Sequence, residues 1–529
     1  MLPKDKERVL VEIVERVLSA YHDGAAVERA IYDTLYEERR RLETERDRKE
    51  AARQRAFYDR IYSDANGAAP EVQRRLLKEI VRAFAAEVAG HFDPRIYAAA
   101  TRLIPPALSV LLNAASPLRL LTAATTGFAN LEDQLRVEGE VETLQHLATL
   151  GTTVLVPTHL SNLDSIVIGY ALHRMGLPPY IYGAGLNLFH NKLIGFFMHH
   201  LGAYKVDRRK KALLYKDVLK TYAGCTLEAG YHNLFFPGGT RSRNGGVENH
   251  LKLGLLGMGL SAYVHNLAAG KAKPDIFVVP CTLNYQLVLE AETLIDDHLK
   301  EVGKSRYIIE DDEFSKPRRI LDFIEKLLSL NSRIHLVISR PLDVFGNEVD
   351  DDGHSKDSRG RRLDRTRYVA RDGGVGLDPQ RDAEYTHELA DSVRKAYRRD
   401  TLVSSTHALA YTVFRLLRAR NPEVDLYKLL RTGGKETSFS AIEVYERLER
   451  LLDQLRRLAA DGRLWLDDTL AKKDTVAVAN DALAHLMSYH RHPAVVRRGD
   501  RLFHEDRNLL LYYHNRLDSL GLPGLEVPR

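Results

Sequence analysis

The chain has 529 residues, 44% hydrophobic and 28% charged, and its 77 Lys+Arg exceed 72 Asp+Glu by only 5. That balance excludes a nucleic-acid binder working through bulk positive charge, and the composition is that of a folded protein of roughly three or four domain-sized units. The two cysteines, Cys225 and Cys281, stand far apart and outside any C-x-x-C spacing. Neither a disulfide framework nor a cysteine-rich zinc site is expected, and the compartment reads as reducing.

In chain order, the opening MLPKDKERVLVEIVERV mixes charged with apolar residues. It lacks the unbroken apolar core of an export signal, so a cytoplasmic protein is expected. Residues 1–130 read as a helical region, since VLVEIVERVLSAY and LLKEIVRAFAAEV repeat apolar residues at three- and four-residue spacings. Between them Glu37 to Arg55 is almost wholly charged, which reads as a solvated helix with opposite charges one turn apart, or as an arm for a partner. Leu103 to Leu118 is uncharged but holds Pro105, Pro106 and Pro117. It falls short of the about 20 apolar residues of a spanning helix, so it reads as buried or interfacial.

Residues 131–345 change character, with β-branched runs TTVLVPTH, PYIYGAG, NLFFPGG, IFVVPCTLNY and RIHLVISRPLDVF separated by helical stretches. Strands alternating with helices predict an α/β domain. Residues 346–384 are charged and Gly-rich and read as a surface insertion or loop, and 385–529 returns to helical periodicity. No repeat of fixed period stands out.

Four segments bear on chemistry. In VLVPTHLSNLDS an apolar strand ends at His159, Ser161 is placed to cap a helix, and Asp164 follows three residues later. A carboxylate there either orients one imidazole nitrogen and leaves the other to act as a base, or serves only the helix dipole. GAYKVDRRKK brings Arg208 to a strand end, as part of a solvated basic run or of an anion site. FFPGGTRSRNGG sets Gly239 and Thr240 after a strand and then Arg241, Ser242 and Arg243. Glycines allow close backbone approach and guanidinium forks match phosphate oxygens, while the Lys-Ser/Thr ending of a nucleotide loop is absent. In DIFVVPCTLNY, Pro280 lies within or at the end of a strand, where its simplest role is structural.

Read together as HLSNLD, GAYKVDR, FPGGTRSR and VVP, these blocks resemble the glycerolipid acyltransferase superfamily. GAGLNLFHNKLIGFFMHHLGAYKVDRR, KLGLLGM and LLYYHNRL are similar to its bacterial glycerol-3-phosphate acyltransferase branch. The resemblance implies an acyltransferase α/β domain flanked by N- and C-terminal helical regions, and transfer of a fatty acyl group from a thioester to glycerol 3-phosphate in phospholipid synthesis. It implies His159 and Asp164 as catalytic, and Arg208, Gly239, Thr240, Arg241, Ser242, Arg243 and Pro280 as substrate-binding. No metal or cofactor is implied; acyl-CoA or acyl carrier protein is the donor, and a membrane surface is met peripherally from its inner face. Lysophosphatidate or dihydroxyacetone phosphate are alternative acceptors, and a weakly catalytic membrane scaffold is the rival from another class. In this family the third block carries a glutamate where this chain has Gly238. His190, His199 and His200 read as packing or interface residues.

Overall fold

The computed structural model describes residues 1, 3–45, 47–99, 102, 134–185, 200–302, 316, 318–320, 322, 332–371 and 374–521. Leu103–Leu118, His190 and His199 lie outside them. Four N-terminal helices, α1 (Pro3–Ala20), α2 (Gly24–Glu43), α3 (Arg48–Ala65) and α4 (Pro70–Val88), bear out the apolar periodicity read in α1 and α4. Their buried stripes, among them Ile13, Ile31, Ile61, Ile80 and Phe84, form one core with Tyr204, Leu214, Tyr215 and Tyr222 of the next region. The charged run Glu37–Arg55 departs from the expected solvated helix. It breaks between α2 and α3, where Asp47 caps α3 by accepting the N–H groups of Lys49 and Glu50. Glu38 is fully buried and is matched there by Arg41 at 2.8 Å and Lys210 at 3.0 Å. Opposite charges in direct contact let a carboxylate enter a core that would reject it alone.

The middle of the chain folds as β1 (Leu135–Gly139), α5 (Val141–Leu150), β2 (Thr152–Pro157), α6 (Asp164–Arg174), β3 (Ile181–Gly185), β4 (Ala203–Val206), α7 (Leu213–Glu228), β5 (Asn233–Leu234), α8 (Leu253–Ala268), β6 (Ile276–Tyr285), α9 (Ala291–Val302) and β7 (Ile334–Ile338). The strands form one sheet in the order β1-β7-β6-β2-β5-β3-β4, in which all neighbours run parallel except β6 and β7. Every residue of β2 and β6 is buried, as expected of central strands covered on both faces, and this is why they read as continuous apolar runs.

Pro280 occupies the middle of β6, opposite Val156, and not a strand end. Its carbonyl accepts from Ser339, one residue beyond the last pair of the β6–β7 ladder, Cys281 with Ile338. On that side the partner chain bulges after Ser339 and pairs again with β6 at Leu342 and Val278, so the N–H that proline lacks falls at the bulge.

Residues 346–384 have more order than their composition suggests. Asp343, Asp350, Asp357 and Asp364 recur every seven residues, and each carboxylate accepts a backbone N–H two to four residues on. Gly346, Gly353 and Gly360 follow at the same interval with φ of 90°, 81° and 77°. Aspartate closing a turn and glycine supplying positive φ form a period of turns, invisible to a search for apolar repeats. Val349 and Val369 are buried, and Tyr368 stacks on Phe345 at 4.6 Å.

The C-terminal part carries α10 (Pro379–Arg399), α11 (Ser405–Arg420), α12 (Leu426–Thr432), α13 (Ala441–Ala460), α14 (Asp468–Lys472), α15 (Thr475–Ser488) and α16 (Arg507–Asp518), with a small antiparallel sheet of 438–440, 495–498 and 501–504. Its core is continuous with that of the large sheet. Among the described residues, no helix is long and apolar enough to cross a membrane.

Candidate active site

His159 follows β2, Arg208 follows β4, and the loop 235–252 follows β5, so three parallel strands deliver their groups to one end of the sheet. Ligand sites of open α/β sheets lie outside the carboxyl ends of strands. Helix α6 starts later than expected. Leu163 is its N-cap and Asp164 its first residue, while Ser161 uses its hydroxyl to accept from Leu163 N–H and to donate to Glu290 at 2.7 Å. Asp164, thus freed from the N3 position, turns back on the preceding loop.

The Asp164 carboxylate is wholly buried. Oδ2 lies 2.8 Å from His159 Nδ1 and accepts the backbone N–H groups of Leu160 at 2.7 Å and Ser161 at 2.9 Å. Oδ1 accepts the Tyr285 hydroxyl at 2.6 Å. Four donors around one carboxylate fix it and, through it, the imidazole, whose Nδ1–H is held so that Nε2 carries the lone pair. Phe236 stacks on the ring at 4.1 Å. Burial lowers the His159 pKa, the Asp164 carboxylate works against that, and Arg241 and Arg208 add to the lowering. The net result is a neutral imidazole, which is the form a base requires.

The basic groups divide by their partners. Arg209 pairs with Asp207 and Glu45, and Lys210 is buried against Glu38 and Glu87, so two of the four residues 208–211 join the N-terminal helices to the sheet. Arg208 makes no ion pair among the described residues. Arg208 is exposed, and crowding by the surrounding protein, then the charges of Arg241 and Arg243, holds its guanidinium below the usual range. Arg241 is buried and pairs with Glu290 at 3.2 Å, while Arg243 pairs with Asp297 at 3.1 Å and Glu301 at 2.6 Å on α9. Lys252, which the sequence does not mark as a site residue, is exposed, and partial desolvation, then Arg208, lowers its pKa.

Pro237 stands second in a turn closed by Gly239 N–H on Phe236 O at 3.0 Å, and Gly239 has φ 74°. Thr240 is exposed at the tip. Ser242 donates its N–H to His159 O at 2.7 Å and its hydroxyl to Gly246 O at 2.7 Å, so it ties the arginine loop to the histidine. Helix α16 backs this loop: Asn515 donates to Asn244 O at 3.0 Å, and Ser519 Oγ accepts from Val247 N–H at 2.8 Å. A Cβ on Gly245 would meet Tyr512 O at 2.2 Å, so only glycine lets loop and helix approach this closely.

Gly238 has no positive φ, and its backbone admits a side chain. What a side chain would meet is the end of Glu248, since a Cβ at 238 would stand 2.6 Å from the Glu248 Cδ and that carboxyl would have to shift. The space beside Gly238, where the resemblance expects a glutamate, already holds a carboxyl group from ten residues further on. His200 bears out a packing role, its ring meeting that of His91 edge-on at 5.5 Å.

This fold, with a histidine–aspartate pair beside clustered arginines, belongs to an acyltransferase domain: residues 138–284 match the Acyltransferase family. The chain is 27% identical over 227 residues to the glycerol-3-phosphate acyltransferase of Pseudomonas syringae pv. tomato, covering 40% of this chain and 26% of that protein. It is 31% identical over 158 residues to that of Pseudomonas paraeruginosa, covering 30% and 18%, and 34% identical over 141 residues to that of Actinobacillus succinogenes, covering 26% and 16%. The matches with these relatives thus span about a quarter of their length or less. Residues 138–284 thus form an acyltransferase domain, in a chain similar over part of its length to glycerol-3-phosphate acyltransferases.

Proposed function

We propose that the chain transfers a fatty acyl group from an acyl thioester, acyl-CoA or acyl carrier protein, to a hydroxyl of glycerol 3-phosphate, supplying phospholipid synthesis. The observation that carries this reading is the buried Asp164–His159 pair at 2.8 Å with Arg208 and Arg241 close enough to depress the imidazole's pKa. His159 Nε2 takes the acceptor's hydroxyl proton as the oxygen attacks the thioester carbonyl. The tetrahedral intermediate collapses, the C–S bond breaks, and the imidazolium returns the proton to the leaving thiolate.

Arg208, together with Lys252, meets the acceptor's phosphate dianion, with Arg241, Arg243, Gly239 and Thr240 lining the same loop. The thioester is already activated, so orientation by these groups and one base account for the step. Glu248 beside Gly238 weakens the scaffold reading, because the place where the family carries a carboxylate is not empty.

Association with the inner face of a membrane is peripheral in this reading, and release by high salt or carbonate tests it. The function itself is tested by offering purified protein labelled acyl-CoA with glycerol 3-phosphate, lysophosphatidate and dihydroxyacetone phosphate in parallel. Preferential labelling of glycerol 3-phosphate supports the reading.

A further inference from the structure

Glu248 is the one acidic side chain of the arginine loop, and it points inward. Its Oε1 accepts the backbone N–H of His159 at 3.0 Å, while Oε2 is buried without a hydrogen-bond partner among the described residues and lies against Gly238. The carbonyl of the same His159 accepts from Ser242, so the histidine's backbone is gripped at both ends by groups of one loop. A buried carboxylate with an unused oxygen is costly, whereas a carboxylic acid there has an O–H to aim at the Gly238–Gly239 turn.

We propose that Glu248 is a positioning residue of the acyl-transfer site, whose carboxyl group is wedged between the His159 amide and Gly238 and sets the distance between the base and the arginine loop. The same wedge leaves room for only one carboxyl side chain, from position 248 or from position 238. This rests on the acyl-transfer reading for its kinetic consequences and on packing alone for its structural ones.

The surroundings agree. Burial lifts the Glu248 carboxyl to about 8, with Asp164 adding to the rise, and the His159 N–H and the Arg516 charge opposing it. Asp164 of α6, Arg516 of α16 and Tyr397 of α10 are the charged or titratable groups that act on it, and Lys252 closes the far side of Gly239. The acid form therefore prevails at neutral pH. Because the folded state holds this proton more tightly than the unfolded chain, stability falls as pH rises from the ordinary carboxyl range through about 8, and ionisation sets a second negative charge beside Asp164.

The test uses the full chain and four variants: Glu248→Gln, Glu248→Ala, Gly238→Glu, and Gly238→Glu with Glu248→Ala. Acyl transfer and melting temperature are measured at about pH 6 and about pH 9.5, either side of that pKa. Glu248→Gln is expected to match the wild type in activity at the lower pH and surpass it at the higher, and to melt above it at both, by the wider margin at the higher pH. Glu248→Ala is expected to lose roughly ten- to a hundredfold in kcat with the donor KM unchanged, since a base misplaced by an ångström costs that much. Gly238→Glu alone is expected to melt lower and lose activity, and the added Glu248→Ala to recover both. A Glu248→Ala enzyme with wild-type kcat, a Glu248→Gln enzyme that keeps the wild-type pH profile, or a double variant no better than Gly238→Glu would overturn the proposal. A wild type that acylates no acceptor would defeat the functional reading instead, and the melting comparisons would still decide whether one carboxyl occupies the wedge.

Discussion

The Tyr285 hydroxyl donates to Asp164 Oδ1 at 2.6 Å, from the last residue of β6 to the first of α6. Because the other oxygen of that carboxylate holds His159, the central strand sets the orientation of the imidazole through two hydrogen bonds in series. Removing the phenol leaves Asp164 buried with one donor fewer, a loss of about 1.5–3 kcal/mol for a bond to a charged group. Tyr285→Phe should therefore lower kcat by about tenfold while leaving the acceptor's KM near the wild-type value. Steady-state kinetics on a variant with an intact near-UV circular dichroism spectrum checks this.

Asp164→Asn should cost more. An amide there cannot accept from Nδ1–H and from two backbone N–H groups with the strength of a carboxylate, so the imidazole loses its tautomer. The expected fall in kcat is at least about a hundredfold, comparable with losing the base. The Asn variant should also melt at a lower temperature, since four donors lose their ionised partner.

Arg208 and Arg241, alike in sequence, should separate in the laboratory. Arg208 makes no ion pair among the described residues, so Arg208→Ala should raise the acceptor's KM, by about tenfold or more, without lowering the melting temperature. Arg241 neutralises Glu290, which is fully buried and also receives Ser161 and Asn162. Arg241→Ala should raise KM too, and in addition cost about 3 kcal/mol of stability by leaving a buried charge unpaired. Equal stability losses in both variants would contradict this division.

The pH dependence follows from signs. Burial and the neighbouring guanidinium groups lower the His159 pKa, so the acid limb of kcat/KM should lie below the ordinary imidazole value, activity falling only where the ring at last takes a proton. Arg208→Ala removes one of the charges that depress this pKa, and the acid limb should move to higher pH. A profile that stays in place would show that Arg208 does not act on the ring.

The parts of this site that the chain reveals by itself are those borne on regular elements. Apolar runs announce β2 and β6, and a histidine and an arginine-rich turn at strand ends are legible because parallel sheets place ligands there. Glu248, Tyr285, Glu290 and Lys252 were not legible. Each reaches the site through a contact distant in sequence, such as the 121 residues between Tyr285 and Asp164 or the 89 between Glu248 and His159. Local spacing carries no trace of such pairs. The cap of α6 was misplaced because Ser161 has a stronger use, its hydroxyl meeting a carboxylate 129 residues away. Pro280 reads as lying within or at the end of a strand because proline breaks ladders, and only the pairing shows that the partner chain bulges opposite it before rejoining at Leu342. The basic run 208–211 shows the same limit, for its four residues look alike, yet Arg209 and Lys210 take acidic partners while Arg208 makes no ion pair among the described residues.

The central claim is that His159 removes the proton from a glycerol phosphate hydroxyl. Its most direct measurement is the rate of acyl transfer from labelled acyl-CoA to glycerol 3-phosphate by the wild type and by His159→Ala of unchanged melting temperature. The account predicts clear transfer by the former and a rate lower by roughly 10²–10⁴ in the latter. Transfer by His159→Ala at the wild-type rate, or a wild type that acylates neither glycerol 3-phosphate nor the two other acceptors, would contradict it.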